Sequence, residues 1–214
     1  MSDAEDQKRR AACAAAELVF EGARVGLGTG STVGYLLAEL ARRRLRLRCT
    51  ATSPATERAA HALGLAVEPL DGLLELDISI DGADQVDPAG WLVKGGGAAH
   101  TREKIVAAAA HRFVVIASAE KAVERLSAPV PLEILSFGTE ATLRLVAPAQ
   151  RRGCALSPDG NVIADYTGEV SDPRALAERL AGTPGVVEHG LFAPAMVSDV
   201  LIARGSSVEH RRLA

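Results

Sequence analysis

"ARVGLGTGSTVGYLLAELARRR", residues 23–44, passes from a short apolar run through glycines at 26, 28 and 30 into a pattern that sets Leu36, Leu37 and Leu40 on one side of a helix. A short buried strand, a glycine turn and an amphipathic helix in succession form the unit from which parallel sheets are built. The alternation continues downstream. "LRLRCTAT" (45–52) reads as a strand, "PATERAAHALG" (54–64) as a helix with Pro54 near its start, and "LAVEPL" (65–70) and "LDISI" (76–80) as strands. A short strand "WLV" (91–93), a helix after Gly97 and the strand "RFVVIAS" (112–118) follow. Upstream, "AEDQKRRAACAAAELVF" (4–20) reads as a helix with Ser2 or Asp3 as cap. The expected fold class is α/β, a doubly wound, mainly parallel sheet with helices on both faces.

From about residue 127 the texture changes. The proline-bearing "SAPVPLEIL" (127–135) leads to a helix "TEATLRLVAPAQRRG" (139–153), two short strands around "SPDGN" (157–161), a helix opened by "SDPRALAERL" (171–180) and a strand "VVEHGLF" (186–192). This β-α-β-β-α-β order predicts a small split-βαβ, ferredoxin-like α+β domain. The strand "DVLIARG" (199–205) is expected to rejoin the first domain, so the expected domains are 1–126 plus 200–214, and 127–199. The tail "SSVEHRRLA" (206–214) yields no assignment.

Composition narrows the function classes. In 214 residues, 48% hydrophobic and 24% charged, there is enough chain for a sizeable core. The net charge of -3 and 3% aromatic content argue against a nucleic-acid surface, leaving small molecules as the expected partners. Cys13, Cys49 and Cys154 are far apart with no CxxC pair, and the five histidines lack ligand spacing, so neither disulfides nor a metal is expected. No apolar run approaches a membrane span, and no signal region follows the N-terminus. The expected location is therefore the cytoplasm. Basic residues are twenty arginines and only four lysines, Lys8, Lys94, Lys104 and Lys121, so a lysine here stands out against the arginine bias.

Three motifs carry the chemistry. "GLGTGST" (26–32) sits at a strand-to-helix junction, where backbone N–H groups, the helix dipole and the hydroxyls of Ser31 and Thr32 suit a phosphate. It lacks the glycine and downstream acid of a dinucleotide fingerprint and the lysine of a P-loop. "DGADQVD" (81–87) follows a predicted parallel strand, so Asp81 and Asp84 fall where open α/β sheets bind ligands. "KGGGAAHTREK" (94–104) sets Lys94 before three glycines and Glu103 at a helix start, where the dipole favours a carboxylate. Taken alone, the first also fits a tight turn, the second an Asp-Gly turn with solvated acids, and the third a loop with a favourable helix-start glutamate.

"GLGTGSTV", "DGADQVD" and "KGGGAAHTREKI", in this order and spacing, closely resemble ribose-5-phosphate isomerases of the A type. The resemblance extends through "FVVIASAEK", "PVPLEI", the "DGN" turn and "GVVEHGLF". It implies interconversion of D-ribose 5-phosphate and D-ribulose 5-phosphate without cofactor or metal, on a Rossmann-like domain with a smaller inserted one, as a homodimer or tetramer. Position by position, it makes Glu103 the base that moves a proton between carbons, and gives Asp81 and Asp84 the hydroxyl protons. Lys94 and the N–H groups of Gly95, Gly96 and Gly97 stabilise the oxyanion. Thr29, Gly30, Ser31 and Thr32, with Gly82, Ala83 and Lys121, hold substrate and its phosphate, and Lys8 corresponds to a lysine near that phosphate. His100 stands where the family commonly has an apolar residue and Ser118 where it has an aspartate. Sugar-phosphate-sensing domains of regulators share this fold. Such a domain would be expected to lack the base or the lysine, and both Glu103 and Lys94 are here, with no room expected for a helix-turn-helix. A coenzyme A transferase relative with Glu103 as nucleophile is disfavoured by the phosphate-type loop.

Overall fold

The computed structural model describes residues 3–213. In chain order the elements are α1 (Asp3–Ala16), β1 (Arg24–Leu27), α2 (Ser31–Arg43), β2 (Arg48–Ala51), α3 (Pro54–Ala62), β3 (Ile78–Gly82), β4 (Gln85–Val86) and β5 (Leu92–Val93). Next come α4 (His100–Ala108), β6 (Phe113–Ser118), β7 (Val130–Ile134), α5 (Thr139–Leu145), β8 (Ala149–Arg151) and β9 (Val162–Tyr166). The chain ends with α6 (Pro173–Ala181), β10 (Val186–His189), β11 (Leu191–Phe192), β12 (Asp199–Arg204) and β13 (Ser207–Arg212). Of the two expected caps, Ser2 lies outside the described residues. Asp3 is the first helical residue of α1, and its carboxylate accepts from Gln7 Nε2 at 2.8 Å.

By compactness the chain forms two units, Met1–Ala83 with Arg102–Ala122 and Ala195–Ala214, and Asp84–Thr101 with Val123–Pro194. The first unit holds a six-stranded sheet in the order β13-β12-β6-β3-β1-β2. Every neighbouring pair is parallel except β12 with β13. Side chains alternate across a strand, and the alternation separates two faces. Val25, Leu27, Ile78, Ile80, Val114 and Ile116 pack with α1, α2 and α3. Gly26 and Ser79 lie on the other face, where a Cβ built on Gly26 would meet Val106 of α4 at 2.5 Å and Ser79 Oγ at 2.8 Å. Because helices cover both faces, β6 is buried at all six positions and shows no alternation in its own sequence. The completely buried Ala11, Ala12, Ala15 and Ala16 line the core side of α1, and their small side chains allow close packing against α2 and the sheet.

The second unit holds a four-stranded antiparallel sheet, β10-β7-β9-β8, and a three-stranded one, β11-β5-β4. Its β7-α5-β8-β9-α6-β10 order is the predicted split-βαβ succession, around a core that includes Leu132, Ile134, Val146, Leu176 and Leu180. The segment 84–101 joins this unit because β5 pairs with β11 through Val93 and Leu191.

Three local readings change, and the tail left without assignment gains a place. "LAVEPL" is no strand: only Val67 bridges Cys49, and Pro69, which lacks an N–H, ends the pairing before a single 3-10 turn at Leu70–Gly72. The helix expected over 139–153 stops at Leu145, since proline disfavours a helical residue before it and Ala147 precedes Pro148. Residues 149–151 pair with β9 instead. "VVEHGLF" divides at Gly190 into strands of two different sheets. A Cβ at Gly190 would lie 2.1 Å from the Lys94 carbonyl oxygen, so only glycine lets the backbones approach there. The unassigned tail forms β13, antiparallel to β12.

Candidate active site

Numbered by chain order, the five parallel strands lie 2-1-3-4-5, an order that reverses between β1 and β3. Open α/β sheets bind ligands outside the carboxyl ends of the strands at such a switch point. Gly28 and Asp81 occupy those ends. Gly28 N donates to Ile80 O at 3.0 Å, continuing the ladder. A Cβ on Gly28 would lie 2.0 Å from both Cγ and Oδ1 of Asp81, so the absent side chain is the space the carboxylate fills. Asp81, 2% exposed, accepts at Oδ1 from Thr29 N at 3.0 Å and Gly82 N at 2.7 Å, which orients it. Ala83 follows, half-buried.

Thr29 is held at its side chain as well. Its Oγ1 lies 2.8 Å from Thr52 Oγ1 and 3.3 Å from Thr56 Oγ1, and the Thr56 hydroxyl donates to Gly28 O at 2.9 Å. Sequence reading did not single out Thr52 and Thr56, although two threonines framing a helix start were a visible signal. Gly30 has φ 124° and ψ 175°, a conformation essentially reserved for glycine, and caps α2 with no side-chain hydrogen bond. The first N–H groups of α2 are thus left to meet an anion, beside the exposed Ser31 and half-buried Thr32.

Glu103 lies in the first turn of α4 and is 4% exposed. It is three residues before Val106, hence on the same side of the helix, and Val106 packs at Gly26 and Ser79. That side faces the sheet. Lys121, half-buried, ends a 3-10 turn (Ala119–Lys121) after β6, and the turn is tied to α1 by Ala119 N donating to Gln7 Oε1 at 2.9 Å. Ser118, buried at the end of β6, reaches Glu120 at 3.5 Å. Lys8 Nζ donates to Glu5 at 2.8 Å, which holds the Glu5 carboxyl below its usual range, and Glu5 also accepts from the Tyr35 hydroxyl.

In the second unit Lys94, 3% exposed, donates through its backbone N to Gly190 O at 2.8 Å, and its Nζ lies 5.5 Å from the ring centre of Phe192. Gly95 has φ 105°, and a Cβ there would meet His100 Nδ1 at 2.7 Å. His100, fully buried, therefore packs against the glycine loop. Gly96 N donates to Asp84 Oδ2 at 2.8 Å, which makes Asp84 a holder of the loop. Gly96 and Gly97 are exposed. Two further groups escaped the sequence reading. Arg152 Nη1 donates to Gly95 O at 3.0 Å and Gly96 O at 3.3 Å, while Asp165 grips its Nε and Nη2 at 2.9 and 2.5 Å and holds the guanidinium pKa above its usual value. Glu133, completely buried in β7, accepts from Thr101 at 2.5 Å, Ser157 at 2.6 Å and Asn161 at 2.8 Å, tying the start of α4 to the "SPDGN" turn.

The family model for ribose 5-phosphate isomerase A (phosphoriboisomerase A) matches residues 48–207. A ribose-5-phosphate isomerase A of Caulobacter sp. (strain K31) is 45% identical over 204 residues, covering 88% of this chain and 90% of that one. The structure of ribose 5-phosphate isomerase A from Methanocaldococcus jannaschii superposes with a TM-score of 0.92 at 32% identity, covering 97% of this chain and 99% of the other. A D-ribose-5-phosphate isomerase in complex with phospho-erythronic acid gives 0.91 at 30% identity, covering 99% and 100%. With the parallel sheet, the glycine-rich junction at β1 and the Lys94 loop all present, the chain belongs to the ribose 5-phosphate isomerase A family.

Proposed function

We propose that this protein interconverts D-ribose 5-phosphate and D-ribulose 5-phosphate through an enediolate. The observation that carries the reading is Glu103, buried in the first turn of α4 on the helix side that packs over the Gly26 and Ser79 face of the sheet. A buried carboxylate at a fixed place suits proton abstraction next to a carbonyl, and a positioned base contributes roughly 10² to 10⁴ in rate.

In the forward direction Glu103 takes the proton from C2 of the open-chain aldose, and the electron pair moves to form the C1–C2 double bond with the negative charge on O1. Lys94 and the loop N–H groups other than that of Gly96, which donates to Asp84 Oδ2 at 2.8 Å, meet that charge. Fixed donors at a developing oxyanion are worth about 3 to 4 kcal/mol each. A proton then passes from O2 to O1, and Glu103 returns its own to C1. Asp81 handles the hydroxyl protons, including the one moved in ring opening, and Asp84 assists while holding the loop. The Thr29–Thr32 junction and Lys121 receive the phosphate, with Lys8 beside it. Product is an isomer of substrate, so atoms and electrons balance with no cofactor. The phospho-erythronic acid held by a related isomerase, an acid with a phosphate, supports a site for an anionic sugar-like chain.

The same reading makes the protein a cytoplasmic homodimer or tetramer, measurable by sedimentation velocity. Among the described residues no helix is long and apolar enough to cross a membrane, and no group of three or more His, Cys, Asp or Glu is placed to hold a metal. The deciding experiment is turnover of ribose 5-phosphate by purified protein in chelator, with other aldose phosphates alongside. Absence of turnover above background would sink the reading.

A further inference from the structure

We propose that Arg152, anchored by Asp165, is a positioning residue that sets the peptide planes of the Gly95–Gly97 loop so that the Gly97 N–H faces the reacting oxygen. The inference rests on the isomerase reading above. Three consecutive glycines have the greatest backbone freedom of any tripeptide, and nothing in their own covalent structure selects one orientation of the peptide planes. In a trans peptide the C=O and N–H of one unit point in opposite directions. The Gly95–Gly96 peptide is gripped at both edges: Arg152 Nη1 takes its carbonyl at 3.0 Å and Asp84 Oδ2 takes its N–H at 2.8 Å. The next peptide gives its carbonyl to the same Nη1 at 3.3 Å, which turns the Gly97 N–H toward the side on which Asp84 lies.

The cation also sits at the negative ends of both peptide dipoles. The positive end of the first is held by Asp84, and that of the second, the Gly97 N–H, is left for an anion. Arg152 can do this because it is itself fixed: Asp165 holds the guanidinium fork through two nitrogens, leaving Nη1 for the loop. A lysine would supply charge without the fork. With Arg152 removed, the Gly95–Gly96 plane keeps Asp84 at its N–H and Ala98 N, which donates to Gly95 O at 3.0 Å, but the Gly96–Gly97 plane loses the donor to its carbonyl. Flipped, it would present that oxygen to the enediolate, so the loss should fall on the reacting state more than on phosphate binding.

The test compares wild type with Arg152→Gln, Arg152→Lys and Asp165→Asn, measuring kcat, KM, thermal midpoint, and inhibition by phospho-erythronic acid and by inorganic phosphate. Arg152→Gln is expected to lower kcat on the order of 10²-fold, the scale of a misplacement of about 1 Å. Inhibition by phospho-erythronic acid should weaken by a comparable factor, and that by inorganic phosphate should stay within about twofold. Arg152→Lys should recover part of the loss. Asp165→Asn, which keeps the guanidinium but loosens its anchor, should lower kcat by about tenfold and serves if Arg152→Gln does not fold. A folded Arg152 or Asp165 variant with kcat within about threefold of wild type would overturn the inference, as would equal weakening of both inhibitors. An inactive wild type would instead overturn the isomerase reading.

Discussion

Replacing Gly28 with alanine tests how the carboxyl end of the sheet is built. A methyl group there would lie 2.0 Å from Asp81 Cγ and Oδ1 and 2.5 Å from its Cβ, whereas ordinary contact begins at 3.4 Å. The carboxylate must therefore retreat by about 1.4 Å, or the two strands must part. The backbone at Gly28 is no obstacle, since it is not among the positive-φ glycines. The whole effect comes from the collision. A retreat of that size breaks the bonds from Thr29 N and Gly82 N, now 3.0 and 2.7 Å. Overpacking of this kind costs about 1–3 kcal/mol in stability. Misplacing a reacting group by about 1 Å lowers turnover on the order of 10²-fold. The assay is kcat with ribose 5-phosphate beside the thermal midpoint. Gly34→Ala is the companion: Gly34 lies within α2 with nothing within 4 Å of its built Cβ, so the same chemical change should stabilise by about 0.4–1 kcal/mol. Gly28→Ala with a kcat within about threefold of wild type and an unchanged midpoint would refute the steric account of Asp81.

Four further outcomes are expected. Glu103→Gln should leave binding of the sugar phosphate largely intact while turnover falls by about 10² to 10⁴, and near-normal turnover would remove Glu103 as the base. Lys121→Ala should mainly raise KM, and an unchanged KM would mean that Lys121 does not hold substrate. Glu133→Leu should cost about 2–4 kcal/mol in denaturant unfolding, because it strands the donors of Thr101, Ser157 and Asn161; a change under about 0.5 kcal/mol would show that the network is not stabilising. For Asp199, burial pushes the carboxyl up, but hydrogen bonds from Arg112 at 2.6 Å and His210 at 2.6 Å outweigh it and hold the folded pKa below its ordinary value. The associated stability is present above the unfolded carboxyl pKa of about 3.9 and is lost as pH falls through the lower folded value. Asp199→Asn should flatten that acid limb in a pH series of unfolding, and an unaltered limb would refute the assignment.

The first unit was legible because each of its elements carries a local signal. Ser53 caps α3 by accepting from Thr56 N at 3.2 Å with Pro54 in the first turn, and Gly30 breaks the chain between β1 and α2 as its spacing suggested. The misreadings have equally local causes. β13 is an edge strand of mostly exposed or half-buried polar and charged residues, so no apolar alternation marks it, and its place is decided by pairing with β12. The stretch 146–153 has the composition of a helix tail. Pro148 and the β9 partner override that propensity. Arg152 lay inside that misread segment, and its partners are 13 and 56–57 residues away, beyond any motif window.

The sequence by itself determined which chemical groups are available to the proposed reaction. The acid at 103, the lysine at 94, the glycines and the acid at 81 are properties of single residues and of short spacings, and they survive without coordinates. Only the tertiary structure decided how those groups are aimed. Asp81 is oriented by the absence of a side chain 53 residues earlier and by a backbone N–H 52 residues away, and the glycine loop is held by Arg152 and Asp84 from opposite edges. Steric exclusion and hydrogen-bond direction depend on the positions of atoms that folding alone brings within about 3 Å, and no spacing along the chain records them.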